Sequence, residues 1–152
     1  MPNYRGHLTG AFIFYCIIIG VFSFYTYSFI TLIEWFLCTL LGALFPDIDT
    51  KSKGQKLFYR ILFVMIAIFF VQQKLRLIAL FAFIACIPLI TRHRGVLHNF
   101  WAILSLIILL LVVTYYFVPN YFMLIAWDLF FFMMGVISHL WLDLGFMRMI
   151  RL

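Results

Sequence analysis

All four histidines of the 152-residue chain (His7, His93, His98 and His139) stand near the ends of long apolar runs. So do three of its five acids, Asp47, Asp49 and Asp143. Ionisable groups beside membrane-length apolar segments are costly to keep, which makes these seven the first candidates for chemistry. Imidazole mixed with carboxylate is a donor set for a divalent metal, Zn²⁺ first, with Mn²⁺ or Fe²⁺ as alternatives. His139 and Asp143 lie four residues apart, so one helix face carries both toward one ion. Asp47 and Asp49 are two apart in a loop after Pro46, where both can present oxygens. His93 and His98 are five apart, too far round for one helical face, but they converge if Arg92–Gly95 turns, which Gly95 makes easy. Seven donors exceed the four that one zinc takes, so either two ions bind or some residues support the others.

Such a site points to hydrolysis by a metal-activated water. Asp47 or Asp49 would orient that water or act as its base. Arg94, between His93 and Gly95, offers a planar fork for a phosphate or carboxylate. Lys51 and Lys53 would attract an anionic headgroup. The spacing Asp47-x-Asp49-x-Lys51 is not a calcium loop, because Lys51 stands where a ligand is needed.

The elements that must position these residues follow from composition. The chain is 67% hydrophobic and 11% charged, against ~25% charged in soluble domains. A water-soluble globule cannot cover that much apolar surface. Soluble enzymes, disordered chains and nucleic-acid-binding basic domains are excluded. The expected fold is an all-α, polytopic membrane bundle, a single domain over 1–152, with about six segments. These lie near Leu8–Phe24, Phe29–Phe45, Leu57–Val71, Leu75–Ile90, His98–Val118 and Tyr121–Asp143. The first segment reads as a retained helix, because bulky Phe22, Phe24 and Tyr25 occupy the place of a signal-peptidase site. Cys16, Cys38 and Cys86 are isolated in apolar stretches and read as small packing residues.

With six segments the connections alternate sides. One side receives Arg5, Lys51, Lys53, Lys56, Arg60, Arg92, Arg94, Arg148 and Arg151; the other receives only Lys74 and Arg76. That asymmetry puts both termini on the cytoplasmic side of the membrane. All seven metal candidates fall at the same, cytoplasmic end. The net charge of +6 is then read as topology and attraction to anionic lipids, with a membrane lipid as substrate and no nucleic acid as partner.

Four ordered motifs carry a resemblance: Arg5-Gly6-His7, Pro46-Asp47-Ile48-Asp49, His93-Arg94-Gly95-Val96-Leu97-His98 and Ser138-His139-Leu140-Trp141-Leu142-Asp143. Together they resemble the YdjM-like membrane-bound metal-dependent hydrolases, some of them LexA-regulated, over almost the whole chain. That family is in turn distantly similar to zinc-dependent phospholipase C. The resemblance implies an inner-membrane hydrolase whose motif histidines and aspartates are metal ligands.

Two readings from other classes stand beside this one. A transporter for metal ions or protons needs polar groups through the membrane depth. Only Glu34 and Asp128 are deep acids, and Asp128 shares an α-helical stripe with Gly135 and His139. The simpler expectation pairs Glu34 and Asp128 with Lys74 and Arg76. A non-catalytic structural protein would need no metal, and its 20 phenylalanines and eight tyrosines would serve lipid contact.

Overall fold

The computed structural model describes residues 3–22, 27–48, 52–90, 97–145, 147 and 149; among them there is no β-strand. Six α-helices follow in order: α1 (Tyr4–Val21), α2 (Phe29–Leu44), α3 (Lys53–Val71), α4 (Leu75–Ile90), α5 (Phe100–Phe117) and α6 (Phe122–Leu144). A 3₁₀ turn, Phe45–Asp47, extends α2, and another, Pro119–Tyr121, leads into α6.

The helices match the six expected segments; α2 and α4 begin where expected, while α1, α3 and α5 begin elsewhere because of polar caps. Asn3 accepts from the amides of Arg5 and Gly6 at 3.1 and 3.2 Å, so α1 begins ahead of the apolar run and takes in His7. Ser52 accepts from Gln55 N at 3.1 Å, drawing the polar residues Lys53–Lys56 into α3. Asn99 accepts from Ala102 N at 3.1 Å, so α5 starts after His98 rather than at it. Each cap satisfies amide donors that a helix start otherwise leaves open.

Five of the six helices, with the flanking 3₁₀ turns of α2 and α6, are long and apolar enough to cross a membrane. The 16 residues of α4 rise only ~24 Å, short of a ~30 Å hydrocarbon core. It nevertheless runs back along α3: Phe69 meets Phe81 at 5.1 Å, and the Tyr59 hydroxyl donates to Ala85 O at 3.5 Å. The alternation of ends expected for six segments therefore holds. Large apolar side chains such as Phe12, Phe63, Leu109 and Tyr116 face outward, as lipid-facing surface does and a water-facing one does not.

At the centre α2 and α6 run parallel in a fixed register. Trp35 stacks on Phe131 at 4.7 Å, Thr39 lies against Gly135, and Ala43 lies against His139. A Cβ on Gly42 would overlap the Phe132 carbonyl oxygen, and one on Gly135 would overlap the Thr39 carbonyl oxygen. The two backbones are therefore in direct contact, as small residues allow between membrane helices. Across them lies α1, antiparallel, with the Tyr15 hydroxyl donating to Leu32 O at 2.8 Å and Phe22 edge-on to Trp127 at 5.5 Å. α5 packs on α6.

Gly135→Ala should lower the thermal midpoint in detergent, at a cost of ~1–3 kcal/mol for overpacking. Gly20, with nothing within 4 Å of an added Cβ, should accept alanine without loss. Equal midpoints for the two variants would refute the backbone contact.

Candidate metal centre

Five of the seven expected ligands come together where α1 starts, α2 and α6 end, and the chain enters α5. His7 occupies the first turns of α1, Asp47 closes the 3₁₀ turn after α2, and His98 immediately precedes the cap of α5. His139 and Asp143 share the last turns of α6. Asp49 and His93 lie outside the described residues, as do Lys51 and Arg94. Lys53 is exposed and opens α3 at this end of the bundle.

His139 joins two groups of three donors: His7, His139 and Asp143, and Asp47, His98 and His139. Its Nε2 stands 3.3 Å from Asp143 Oδ2 and 3.9 Å from Asp47 Oδ1. His7 Nε2 is 3.5 Å from Asp143 Oδ1, and His98 Nε2 is 3.4 Å from Asp47 Oδ1. The His7 and His139 rings stack, with centroids 3.9 Å apart.

The tautomer of His139 follows from its other nitrogen. Nδ1 is 2.7 Å from the carbonyl oxygen of Ala43. A carbonyl only accepts, so Nδ1 carries the proton and donates it, which leaves Nε2 with its lone pair toward the carboxylates when the ring is neutral. Histidine ligands of metals are commonly held by such a backbone contact. Despite the short distance to Asp143, His139 Nε2 makes no hydrogen bond, and neither does Asp143 Oδ1. Both atoms are buried. Lone pairs turned on one another in an apolar interior repel unless a cation or proton lies among them.

The donor set and its dimensions fit a divalent metal. Zinc with ligands at ~2.0–2.1 Å in a tetrahedral arrangement holds them ~3.3 Å from one another, close to most of the separations above. Access is one-sided. The His7, His139 and Asp143 side chains are at most 4% exposed, whereas those of His98 and Asp47 are 25% and 38% exposed.

Ala43 was not among the sequence candidates, since a backbone carbonyl leaves no mark in residue type. The only available hint is the small pair Gly42-Ala43 one helical turn before the Asp47 motif. At the other end of the bundle, Glu34 accepts from Gln72 Nε2 at 2.9 Å and pairs with Lys74 at 4.0 Å, as expected for one of the two deep acids. Asp128 is buried, and among the described residues neither of its carboxylate oxygens has a hydrogen-bond partner. The Arg76 side chain is outside the described residues.

A family model, that of the YdjM inner membrane protein, matches the chain over residues 1–151. No curated protein and no solved structure matches it.

Zinc added to metal-stripped protein should raise the thermal midpoint, because a ligand at 1,000 times its Kd stabilises by ~4 kcal/mol. His139→Ala and Asp143→Ala should each abolish that rise, while Lys74→Gln at the other end should keep it. A rise that survives both ligand substitutions would exclude this cluster as the zinc site.

Proposed function

The chain belongs to the YdjM inner membrane protein family and is an integral membrane protein; on that premise we propose that it is a metal-dependent hydrolase of a lipid phosphoester, working at the headgroup level of the cytoplasmic leaflet. The observation that carries the reading is the pair of buried donors, His139 Nε2 and Asp143 Oδ1, left without hydrogen bonds inside a cluster of five ligating side chains.

The residues divide by exposure. His7, His139 and Asp143, sealed from outside, would hold a divalent ion. Asp47 and His98, on the open side, would complete the ligand set where a substrate can approach. When bound, such an ion lowers the pKa of a coordinated water toward ~7 and draws charge from a phosphoryl oxygen. Ala43 keeps His139 in the tautomer that ligation requires. Asp47, half-buried with one oxygen toward His98, is placed to take a proton from an attacking water, and Asp49 is the alternative base two residues on. Arg94, four residues before His98 in the chain, would clamp the phosphate, and Lys51 would attract the headgroup. The nine-to-two distribution of basic residues supports a cytoplasmic orientation.

Ion or proton transport has less in its favour. Between Asp128 and His139 the α6 face toward α2 carries Leu129, Phe132 and Gly135. The hydroxyls of Thr39 and Ser138 are committed to carbonyls of their own helices, Trp35 O at 2.9 Å and Gly135 O at 2.8 Å. A purely structural role leaves the orphaned donors without a purpose.

Zinc-loaded protein in mixed phospholipid micelles should release a phosphorylated headgroup or diacylglycerol, and a chelator should stop the release. Asp47→Asn should lower kcat by ~10²–10⁴, the usual contribution of a general base. Zinc-loaded protein that cleaves none of the common phospholipid classes would overturn the proposal.

A further inference from the structure

On the outward side of the same end, a groove of about 480 Å³ runs between α1 and α3 over α2. Leu8 and Phe12 of α1, Phe36 and Leu40 of α2, and Leu57 and Ile61 of α3 line it. It faces away from His7, which is buried on the inner side of α1.

Its rim is positive on both flanks. Lys53, Leu57 and Ile61 follow one another at i, i+4, i+8, so the lysine stands one turn above the lining on the same face of α3. Arg5 stands likewise above Leu8 on α1, and both basic side chains are exposed. The first turns of these two helices touch: a Cβ on Gly54 would meet Tyr4 Cβ at 3.6 Å. The Tyr4 hydroxyl in turn accepts from Arg5 Nε at 3.3 Å. Neither helix has an acid in its first turn. Basic residues at a helix N-terminus oppose the helix dipole, which favours acids there. Two such starts in contact therefore form a spot whose positive charge nothing nearby on those helices offsets.

We propose that this groove binds one anionic phospholipid, its phosphate between Arg5 and Lys53 and an acyl chain along Leu8, Leu40, Leu57 and Ile61. Charge selects the occupant: an apolar trough alone would take any lipid, but a trough under two cations, with no acid in the first turn of either helix, prefers a headgroup with net negative charge. The site is separate from the metal cluster and does not rest on hydrolysis, so a bound lipid here is a fixed component of the protein rather than its turnover substrate.

The test is native mass spectrometry of the full chain, released from nanodiscs of equal phosphatidylglycerol and phosphatidylcholine. Wild type should retain one phosphatidylglycerol in preference to phosphatidylcholine. Arg5→Gln with Lys53→Gln should reduce that retention about thirtyfold, roughly fivefold for each basic residue near a headgroup. Ile61→Trp, which fills the trough and leaves the charges, should also reduce it. Lys56→Gln, off the stripe of Lys53 and Leu57, should change it less than twofold. Equal retention of the two lipids would overturn the proposal. So would a Lys56→Gln effect as large as that of Lys53→Gln, or retention indifferent to the double variant and Ile61→Trp in protein with an unchanged melting midpoint.

Discussion

The contact between the α2 and α6 backbones sets the geometry of the functional end. Helices in lipid gain little by hiding apolar side chains from one another, so close packing must hold them together. Gly42 and Gly135 remove the two side chains that would keep these helices apart. Their parallel register then brings Ala43 O within 2.7 Å of His139 Nδ1, which orients the imidazole and turns its second nitrogen toward Asp47 and Asp143. Because His139 belongs to both donor groups, a small displacement between α2 and α6 would disturb both at once. The aromatic contacts at Trp35 and Phe131 hold the same register two turns below.

Much of this centre could be read from residue types because membrane segments make polar residues conspicuous. His139 and Asp143 announce a shared face by their spacing, and they do approach to 3.3 Å. His7, Asp47 and His98 were legible as a group only through topology, since alternating segments carry their ends to one side. The stacking of His7 on His139 was not legible, nor was the pairing of α2 with α6. Both depend on which helices become neighbours, and near-uniform apolar runs do not encode that choice strongly. Gly42 and Gly135 were visible as glycines, but only the packing reveals that each makes room for the backbone of the opposite helix. The starts of α1 and α3 escape hydropathy for a different reason. Hydropathy ends a segment at its first polar residues, whereas Asn3 and Ser52 begin helices by binding amides that polar first turns present.

The two ends of the bundle handle charge differently. At the end away from the histidines, Glu34 is satisfied by an amide from Gln72 and the charge of Lys74. At the histidine end, His139 Nε2 and Asp143 Oδ1 lie buried without hydrogen bonds, although His7, Asp47 and His98 stand beside them. A purely structural polar cluster is expected to resolve into complementary pairs, as Glu34 does. Asp128, buried with neither carboxylate oxygen hydrogen-bonded among the described residues, shows that an orphaned acid alone does not mark a binding site; what sets the histidine end apart is the convergence of five potential ligands.

His7 lies near the beginning of the chain and His139 and Asp143 more than 130 residues later, yet they form one donor group. During synthesis the first helix must therefore wait in the membrane, its histidine without partners, until the last helix has been inserted beside it. No shorter intermediate holds the complete set, and Ala43 has no imidazole to orient before then. Completion of the centre is consequently coupled to completion of the bundle. A half-inserted chain presents scattered polar residues rather than a weak version of the site.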